Sequence, residues 1–367
     1  MNNKLQKVLE KLESNGFEAY IVGGYVRDYL LGIKSTDIDI ATNALPKDIM
    51  RIFDANINKQ VYGSVAFKIG EYSFDITTYR SEESYENRRP VKVKYVDNLI
   101  TDIKRRDFTI NSLCMNSTGN IIDLLDAKTD IDQKTIRVIG DVNEKLTEDP
   151  LRILRAIRFA VTLNFDIDEA IIKFINNNGH LITTLSYYRK EEELSRMLSS
   201  KDPLKALMLL RELNLLDVLG IDYPEDIVIV PDILGIWAQM QYDEKYPFTK
   251  SSKETIEKIR KILAKGKIDN LVLFKDNLYI STVAGKILGY THEEITKMYN
   301  DLPIKTPQEL KINNKDIFTI LNIEPSPKVK IIYQDVLEAV LNGKLPNDYD
   351  KIKIYIEDKW RITWVIL

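Results

Sequence analysis

Cysteine and histidine are scarce in this 367-residue chain, which has one cysteine and two histidines. The single cysteine, Cys114, excludes an intramolecular disulfide and a cysteine-based zinc site. His180 and His292 are too few for a multi-histidine metal centre, which disfavours a hydrolase built on a His–Asp metal cluster. We therefore expect carboxylates and arginines to carry any enzymatic chemistry.

The sequence also lacks an apolar run long enough to cross a membrane, and its first residues lack the apolar block of a signal peptide. We therefore expect a cytoplasmic protein with no membrane partner. Its 52 basic and 55 acidic residues leave a net charge of −3, which does not by itself indicate a nucleic-acid partner. With 44% apolar residues, the chain can bury sizeable cores, which argues against disorder of the whole chain.

The pattern of apolar residues changes near residue 141. Before that point, alternating segments and short helical spacings predict a mixed α/β head with a small sheet. After it, helical spacings dominate to the end of the sequence. The sequence therefore predicts an α+β fold, in which the head at 1–141 precedes helical regions at 142–202, 203–302 and 303–367.

Three aspartates lie on predicted strands of the head. Asp37 and Asp39 are separated by one residue, so their side chains share one face of a strand, and Asp75 in the next strand pattern could face the same way. Such carboxylates repel each other unless a cation bridges them, and Mg²⁺ prefers oxygen ligands and substrate phosphates. We predict that Asp37, Asp39 and Asp75 are catalytic in nucleotidyl transfer, with Asp37 and Asp39 as Mg²⁺ ligands. The alternative is a set of aspartates on an exposed strand edge.

A glycine pair, Gly23 and Gly24, stands between a predicted strand and a predicted helix. Such a turn lets a phosphate approach the backbone N–H groups at the start of a helix. Arg27, one turn into that helix, could add a charge-assisted hydrogen bond. A Gly-Gly pair alone is usually an ordinary turn, but its position before Asp37 and Asp39 favours a nucleotide-phosphate site.

Four motifs, in order, resemble those of class II CCA-adding tRNA nucleotidyltransferases, a family that includes bacterial poly(A) polymerases and belongs to the DNA polymerase beta superfamily. The motifs are Tyr20–Asp28 with Thr36–Thr42, Arg105–Asn111, Glu148–Arg152 and Arg189–Glu193. The resemblance implies a catalytic nucleotidyltransferase head (1–141), a neck with a template for the nucleotide base (142–202), a body (203–302) and a tRNA-binding tail (303–367). It also implies that CTP, CTP and ATP are added to the 3′ end of tRNA, with release of pyrophosphate.

The second motif implies that Arg106, Asp107 and Asn111 bind the sugar and phosphates of the nucleotide. A ribose hydroxyl that donates to Asp107 would favour a ribonucleotide over a deoxyribonucleotide. Arg155 follows in a later helix and would neutralise triphosphate charge, as would Arg158. The alternatives are a local ion pair in a helix for Arg106 and Asp107, and a solvated helix face for the later arginines.

The third motif implies that Asp149 and Arg152 form the base template. Cytosine and adenine both present an amino group beside an unprotonated ring nitrogen, so a carboxylate can accept from the first and an arginine can donate to the second. Uracil and guanine present the opposite pattern and would leave unpaired groups. The competing interpretation is that Asp149, before Pro150, is an ordinary helix cap.

The segment Glu82–Pro90, within a predicted loop at Ser81–Lys92, resembles the flexible loop that accompanies the switch from C to A addition in the family. The segment Lys250–Lys267 has seven basic and two acidic residues and is either a tRNA phosphate contact or a solvated helix. Addition of the terminal A alone, poly(A) synthesis and non-catalytic RNA binding remain as alternatives. The three aspartates argue against the last, and no protein partner is predicted.

Overall fold

The structure is a computed structural model that describes residues 2–53, 64–86, 89–324 and 326–360. Side chains are described for all of these residues except those within 82–93. The chain separates into two compact units. Unit 1 comprises residues 1–221 and 244–246, and unit 2 comprises residues 222–243 and 247–367. A small mixed sheet lies in unit 1 and helices dominate the rest, which confirms the predicted α+β fold.

Short strands define the head of unit 1. They are β1 (Ala19–Val22), β2 (Asp37–Thr42), β3 (Ser64–Ile69), β4 (Tyr72–Thr78), β5 (Arg80–Glu86), β6 (Arg89–Tyr95), β7 (Cys114–Met115), β8 (Ile121–Ile122), β9 (Thr135–Ile136) and β10 (Asp166–Ile167). Six of them form one sheet in the order β3-β4-β2-β1-β7-β8. Strand β2 pairs parallel with β4 and antiparallel with β1, so the sheet is mixed.

The helices of unit 1 pack around this sheet and continue beyond it. They are α1 (Asn3–Glu13), α2 (Gly24–Leu30), α3 (Pro46–Phe53), α4 (Leu99–Lys104), α5 (Ala127–Asp132), α6 (Val142–Glu148), α7 (Leu151–Leu163), α8 (Glu169–Asn178), α9 (Tyr187–Leu198), α10 (Pro203–Glu212) and α11 (Leu216–Leu219). Buried Val22, Ala41, Tyr79, Ile103 and Cys114 join β1 and β2 to α4 in one apolar cluster. This core supports the strands that carry the candidate carboxylates.

The prediction of a loop at Ser81–Lys92 is wrong, because β5 and β6 pair as an antiparallel hairpin. The register places Glu83 opposite Lys92 and Glu86 opposite Arg89, so residues of opposite charge stand across from each other at two positions. The many charged residues hid this strand signal in the sequence. Residues 87 and 88 lie outside the described residues.

The sequence pattern of Asp102–Asn111 predicts that a helix opens in this segment, and the helix in the structure is shorter than that pattern suggests. Helix α4 ends at Lys104, and a 3₁₀ turn follows at Thr109–Asn111. Between them the chain bends so that the Phe108 N–H donates to the Asp107 carboxylate at 2.8 Å. This bend, rather than a continuous helix, presents Arg106 and Asp107 to the site.

Unit 2 is built mainly of helices. They are α12 (Ile233–Gln239), α13 (Lys250–Lys265), α14 (Asn270–Ile287), α15 (His292–Asn300), α16 (Asn314–Leu321), α17 (Pro327–Leu341) and α18 (Tyr349–Trp360). A two-residue strand lies at Gln241–Tyr242, and another, Ile221–Asp222, includes the last residue of the first segment of unit 1. Trp237 is fully buried against Tyr242 and Phe248. Within the described ranges, no helix combines the length and apolar character that a membrane span requires.

Candidate active site

The parallel pairing of β2 and β4 brings two of the predicted carboxylates side by side. Asp39 is in register with Asp75, so both project from the same face of the sheet, and Asp37 lies two residues earlier on that face. Asp37 and Asp39 both keep exposed surface, whereas the apolar residues between and after them are buried. The alternation predicted from the sequence therefore places three carboxylates on one side of the head.

The environment of these carboxylates suits a cation. The Asp75 Oδ1 atom is buried and accepts no hydrogen bond from any described residue. Surrounding protein raises the pKa of Asp39 by desolvation; Arg106 opposes this, and the negative charges of Asp75 and Asp37 reinforce it. These carboxylates repel one another, and one of their oxygens accepts no hydrogen bond. The binding of a cation nearby would therefore stabilise them.

Beside Asp39 lies a cavity of about 330 Å³, within the range of small-molecule sites. Its walls come from the β1–α2 turn, β2, the bend after α4, and α7. The lining residues are Gly23, Gly24, Arg27, Asp39, Arg106, Asp107, Asn111, Arg155 and Phe159. The fold thus collects residues from widely separated sequence motifs around one space.

Gly23 lines this cavity, and its backbone conformation requires glycine. Its φ of +75° lies in the left-handed region, where a side chain would be strained. The position of a Cβ atom there would be only 3.4 Å from an Arg106 guanidinium nitrogen and 3.5 Å from the Asp39 Oδ2 atom, so the backbone of Gly23 lies beside both charged groups. The glycine therefore lets the backbone approach the two charged groups closely.

Asp107 is the most strongly held carboxylate of the cavity. It accepts hydrogen bonds from Arg155 Nε at 2.8 Å and from the Asn111 amide at 3.1 Å, and it forms an ion pair with the Arg155 guanidinium group. Burial alone would raise the pKa of Asp107, but Arg155, Asn111 and the Phe108 N–H together hold that pKa at about 2. Asp107 is therefore ionised and oriented at neutral pH.

Arg27 and Arg106 line the cavity from different segments, since Arg27 lies on α2 and Arg106 lies in the bend after α4. Arg27 donates to Asp28, and its Nη1 donates to the Asn111 Oδ1 at 2.6 Å. Arg106 pairs with the buried Asp102 carboxylate at 3.1 Å, while its buried Nε–H has no hydrogen-bond partner among the described residues. These arginines supply positive charge to a cavity that contains Asp39 and Asp107.

The remaining predicted nucleotide residues lie outside the cavity lining. The Asp149 carboxylate accepts from the Leu151 N–H at 3.1 Å, as a cap does. Arg152 is buried and donates to the carbonyl oxygens of Lys145 at 2.9 Å and Arg105 at 3.4 Å. Their side chains are therefore held by backbone groups in this structure, at the N-terminal end of α7.

The helical spacing of α7 did not indicate which of Arg158 and Phe159 lines the cavity. Arg158 pairs with the buried Glu193 at 2.6 Å and does not line the cavity. Phe159, which was not predicted as a site residue, does line it. An aromatic residue within a stripe of arginines was the available signal, but helical spacing alone assigns such a residue to the core.

The residues present fit a hard divalent cation. Asp37 and Asp39 offer carboxylate oxygens, and substrate phosphates can complete the coordination. Across the part of the chain that the structure describes, no group of three or more Asp, Glu, His or Cys side chains is arranged as a metal site.

The basic segment of unit 2 forms helix α13 and carries two kinds of cation. Arg260 donates to the backbone carbonyls of Ala238 and Met240 and contacts the Tyr242 ring, so it supports the fold of unit 2. Other cations of α13 form ion pairs with acidic neighbours: Lys250 with Glu254, Lys258 with Asp276, and Lys265 with Asp269. The exposed residues Lys253, Lys261 and Lys267 make no ion pair with any described residue.

Models of known families match three segments of the chain. Residues 19–137 match "Poly A polymerase head domain", residues 164–222 match "Probable RNA and SrmB- binding site of polymerase A", and residues 244–355 match "tRNA nucleotidyltransferase domain 2". The first match contains the carboxylates of β2 and β4 and the Arg106–Asn111 bend.

Curated relatives match over nearly the whole length. The CCA-adding enzyme of Lactobacillus delbrueckii subsp. bulgaricus is 34% identical over 381 residues, which cover 95% of this chain and 96% of that protein. The CCA-adding enzyme of Limosilactobacillus reuteri is 32% identical over 373 residues, which cover 93% of each chain.

Solved structures match as well. The Bacillus stearothermophilus CCA-adding enzyme in complex with CTP has a TM-score of 0.88 and 27% identity, and the match covers 100% of both chains. The Thermotoga maritima CCA-adding enzyme complexed with tRNA has a TM-score of 0.66 over 98% of this chain and 96% of that chain. At 19% identity, this second match shows the fold alone.

Proposed function

This chain belongs to the family of CCA-adding enzymes, and we propose that the cavity beside Asp39 is where it binds CTP and ATP. It is a tRNA nucleotidyltransferase that adds C, C and A to the 3′ end of tRNA and releases pyrophosphate. The observation that supports the assignment of the cavity is that residues from the first two motifs converge with Arg155 around one space.

The family depends on a divalent metal ion, and we infer that this ion is Mg²⁺ held by Asp37 and Asp39. When bound, the metal would lower the pKa of the attacking 3′-hydroxyl and neutralise charge on the departing pyrophosphate. The unpaired oxygen of Asp75 supports a place for that residue in the same catalytic group. The three carboxylates create the negative potential that draws the cation to this face.

The triphosphate of the nucleotide would lie against the arginines of the cavity. Arg27, Arg106 and Arg155 can neutralise phosphate charge, and Gly23 and Gly24 allow close backbone approach. Asp107, oriented by Asn111, can accept from a ribose hydroxyl. Because Asp107 already holds Arg155, ribose binding must share this carboxylate with the arginine or displace it.

Base selection is proposed for Asp149 and Arg152, at the start of α7. Their side chains are bound to backbone groups here, so reading a base requires them to exchange those partners for the amino group and ring nitrogen of cytosine or adenine. Arg158 does not line the cavity, and we propose that it influences nucleotide binding through its contact with the ring of Phe159.

We retain the division into a catalytic head (1–141), a neck with the base template (142–202), a body (203–302) and a tRNA-binding tail (303–367) as a proposal. The family models that match 19–137, 164–222 and 244–355 support a modular arrangement of this kind. The unpaired lysines of α13 are proposed to contact tRNA phosphates. A tRNA substrate favours action in the cytoplasm.

The proposal is tested with three tRNA substrates that end before CCA, after C and after CC. Purified protein with Mg²⁺, CTP and ATP is expected to complete all three and to stop after A. Extension of the third substrate alone would indicate terminal-A addition, and long A tails would indicate poly(A) synthesis. Absence of incorporation by folded protein would overturn the assignment, and replacement of Mg²⁺ by other divalent ions tests the identity of the metal.

A further inference from the structure

Phe159 lies at an unusual position for a core phenylalanine. It is on α7, it is 6% exposed, and it forms part of the cavity wall. Its ring packs edge-to-face against Phe108, with 5.7 Å between centroids. It therefore contacts the apolar core of unit 1 and the polar cavity together.

Three guanidinium groups surround this one ring. The guanidinium carbon lies 5.2 Å from the ring centroid for Arg27, 5.4 Å for Arg155 and 4.2 Å for Arg158. The first comes from α2 and the other two come from α7, so the ring is the contact that these arginines share. An aromatic ring attracts cations through the negative potential of its π-system.

Each of these arginines also has a carboxylate partner that holds it from another direction. Arg27 forms an ion pair with Asp28, Arg155 with Asp107, and Arg158 with Glu193. The ring and the carboxylates together offset the repulsion of three neighbouring positive charges. They also restrict side chains that otherwise have many rotamers.

We propose that Phe159 is a positioning residue of the nucleotide site, whose ring fixes the guanidinium groups of Arg27 and Arg155 where the triphosphate binds. Groups that are fixed before binding lose less conformational entropy when the ligand arrives. An aliphatic side chain of similar size would fill the space but would not attract the cations. The inference rests on the proposed binding of CTP and ATP in this cavity.

The test compares Phe159→Leu with Phe174→Leu. Phe174 is a 4% exposed phenylalanine of α8 in the same unit, so the control removes a similar ring from a similarly buried position without altering the cavity wall. Dissociation constants are measured for CMP, CDP and CTP. Phe159→Leu is expected to weaken the binding of CTP about tenfold, that of CDP less and that of CMP least, because the proposal places the arginines against the phosphates. Phe174→Leu is expected to leave all three unchanged.

Equal weakening of CMP and CTP by Phe159→Leu, or the same pattern in Phe174→Leu, would overturn the positioning role in favour of simple packing. If Phe159→Leu does not fold, mono-, di- and trifluorophenylalanine at position 159 replace it, because fluorine weakens the π-potential with little change of shape. CTP affinity should then fall stepwise with fluorine number, and a flat series would refute the proposal. Failure of the wild-type protein to bind CTP would instead refute the nucleotide site itself.

Discussion

Helices α7 and α13 both repeat basic residues along one helix, but what surrounds those residues differs. On α7, the side chain of Arg152 is 7% exposed, and Arg155 and Arg158 are each paired with a carboxylate from another segment. On α13, the Lys250 side chain is 93% exposed, and its acidic partner is a neighbour on the same helix. The first set is fixed by tertiary structure, whereas the second is largely solvated.

This difference separates two ways of binding phosphate. A guanidinium group that is fixed at a cavity wall, as Arg155 is, suits one small ligand in one orientation. Solvated lysines suit a long polyanion, which they bind through counterion release and with strong dependence on salt. We therefore expect substitutions in unit 1 to change the chemistry and the choice of nucleotide, and substitutions on α13 to change tRNA affinity.

The largest effect is expected for Asp39→Asn. Loss of a carboxylate that is proposed to bind the metal should reduce nucleotidyl transfer more than about a thousandfold, as measured by incorporation of CMP into tRNA. Affinity for tRNA should stay close to that of the wild type, because Asp39 lies in the cavity of unit 1. Asp48→Asn makes the same chemical change at an ion-paired carboxylate of α3 that does not line the cavity, and it should remain active. Weak tRNA binding by Asp39→Asn would contradict this separation.

The sequence sufficed to predict that Asp37 and Asp39 share one face of a strand, because strand alternation is a local property. Asp37 and Asp39 alternate with buried isoleucines, and that pattern alone sets their shared face. The pairing of β2 with β4 joins strands that are distant in the sequence, so alternation alone could not establish that Asp75 lies beside Asp39. The hairpin of β5 and β6 was missed because its charges are complementary across strands rather than periodic along one strand.

The partners of the arginines could not be predicted for a similar reason. The three-residue spacing on α7 indicates a basic stripe, but not that Asp107 holds Arg155 or that Glu193 holds Arg158. Those carboxylates are 48 and 35 residues away along the chain, and only the tertiary fold brings them close. The same limitation hid Phe159, whose role depends on what surrounds it.

The next largest effect is expected for Asp149→Ala. If Asp149 reads the base, the preference for CTP over UTP should fall about a hundredfold, since the uracil analogue would no longer meet a mismatched carboxylate. Loss of its bond to the Leu151 N–H should also cost about 1 kcal/mol of stability. Asp202→Ala removes a comparable cap from α10 and controls for that cost. A loss of stability with unchanged base preference would assign Asp149 to capping alone.

A smaller effect is expected on the free energy of unfolding when the pH is lowered. Asp107 has a pKa of about 2 in the folded protein, below the usual unfolded value of about 3.9, so its ionised form stabilises the fold above that unfolded value. The contribution, about 2 kcal/mol at neutral pH, should decrease as the pH falls from about 5 toward about 2. Denaturant unfolding of the wild type and Asp107→Asn should therefore converge as the solution becomes more acidic. A constant difference across this range would mean that Asp107 contributes through its shape rather than its charge.

The smallest effect is expected on α13, where the comparison between fixed and solvated cations becomes a comparison within one helix. The double variant Lys253→Ala, Lys261→Ala removes exposed cations without ion pairs, and should weaken tRNA binding by about tenfold or less at moderate salt. The slope of log affinity against log salt should become shallower by about one for each lysine that contacts a phosphate. The matched variant Lys258→Ala, Lys265→Ala removes cations that already pair with Asp276 and Asp269, so a smaller change in slope is expected. Equal slopes for the two variants would show that pairing with Asp276 and Asp269 does not decide which lysines of α13 bind RNA.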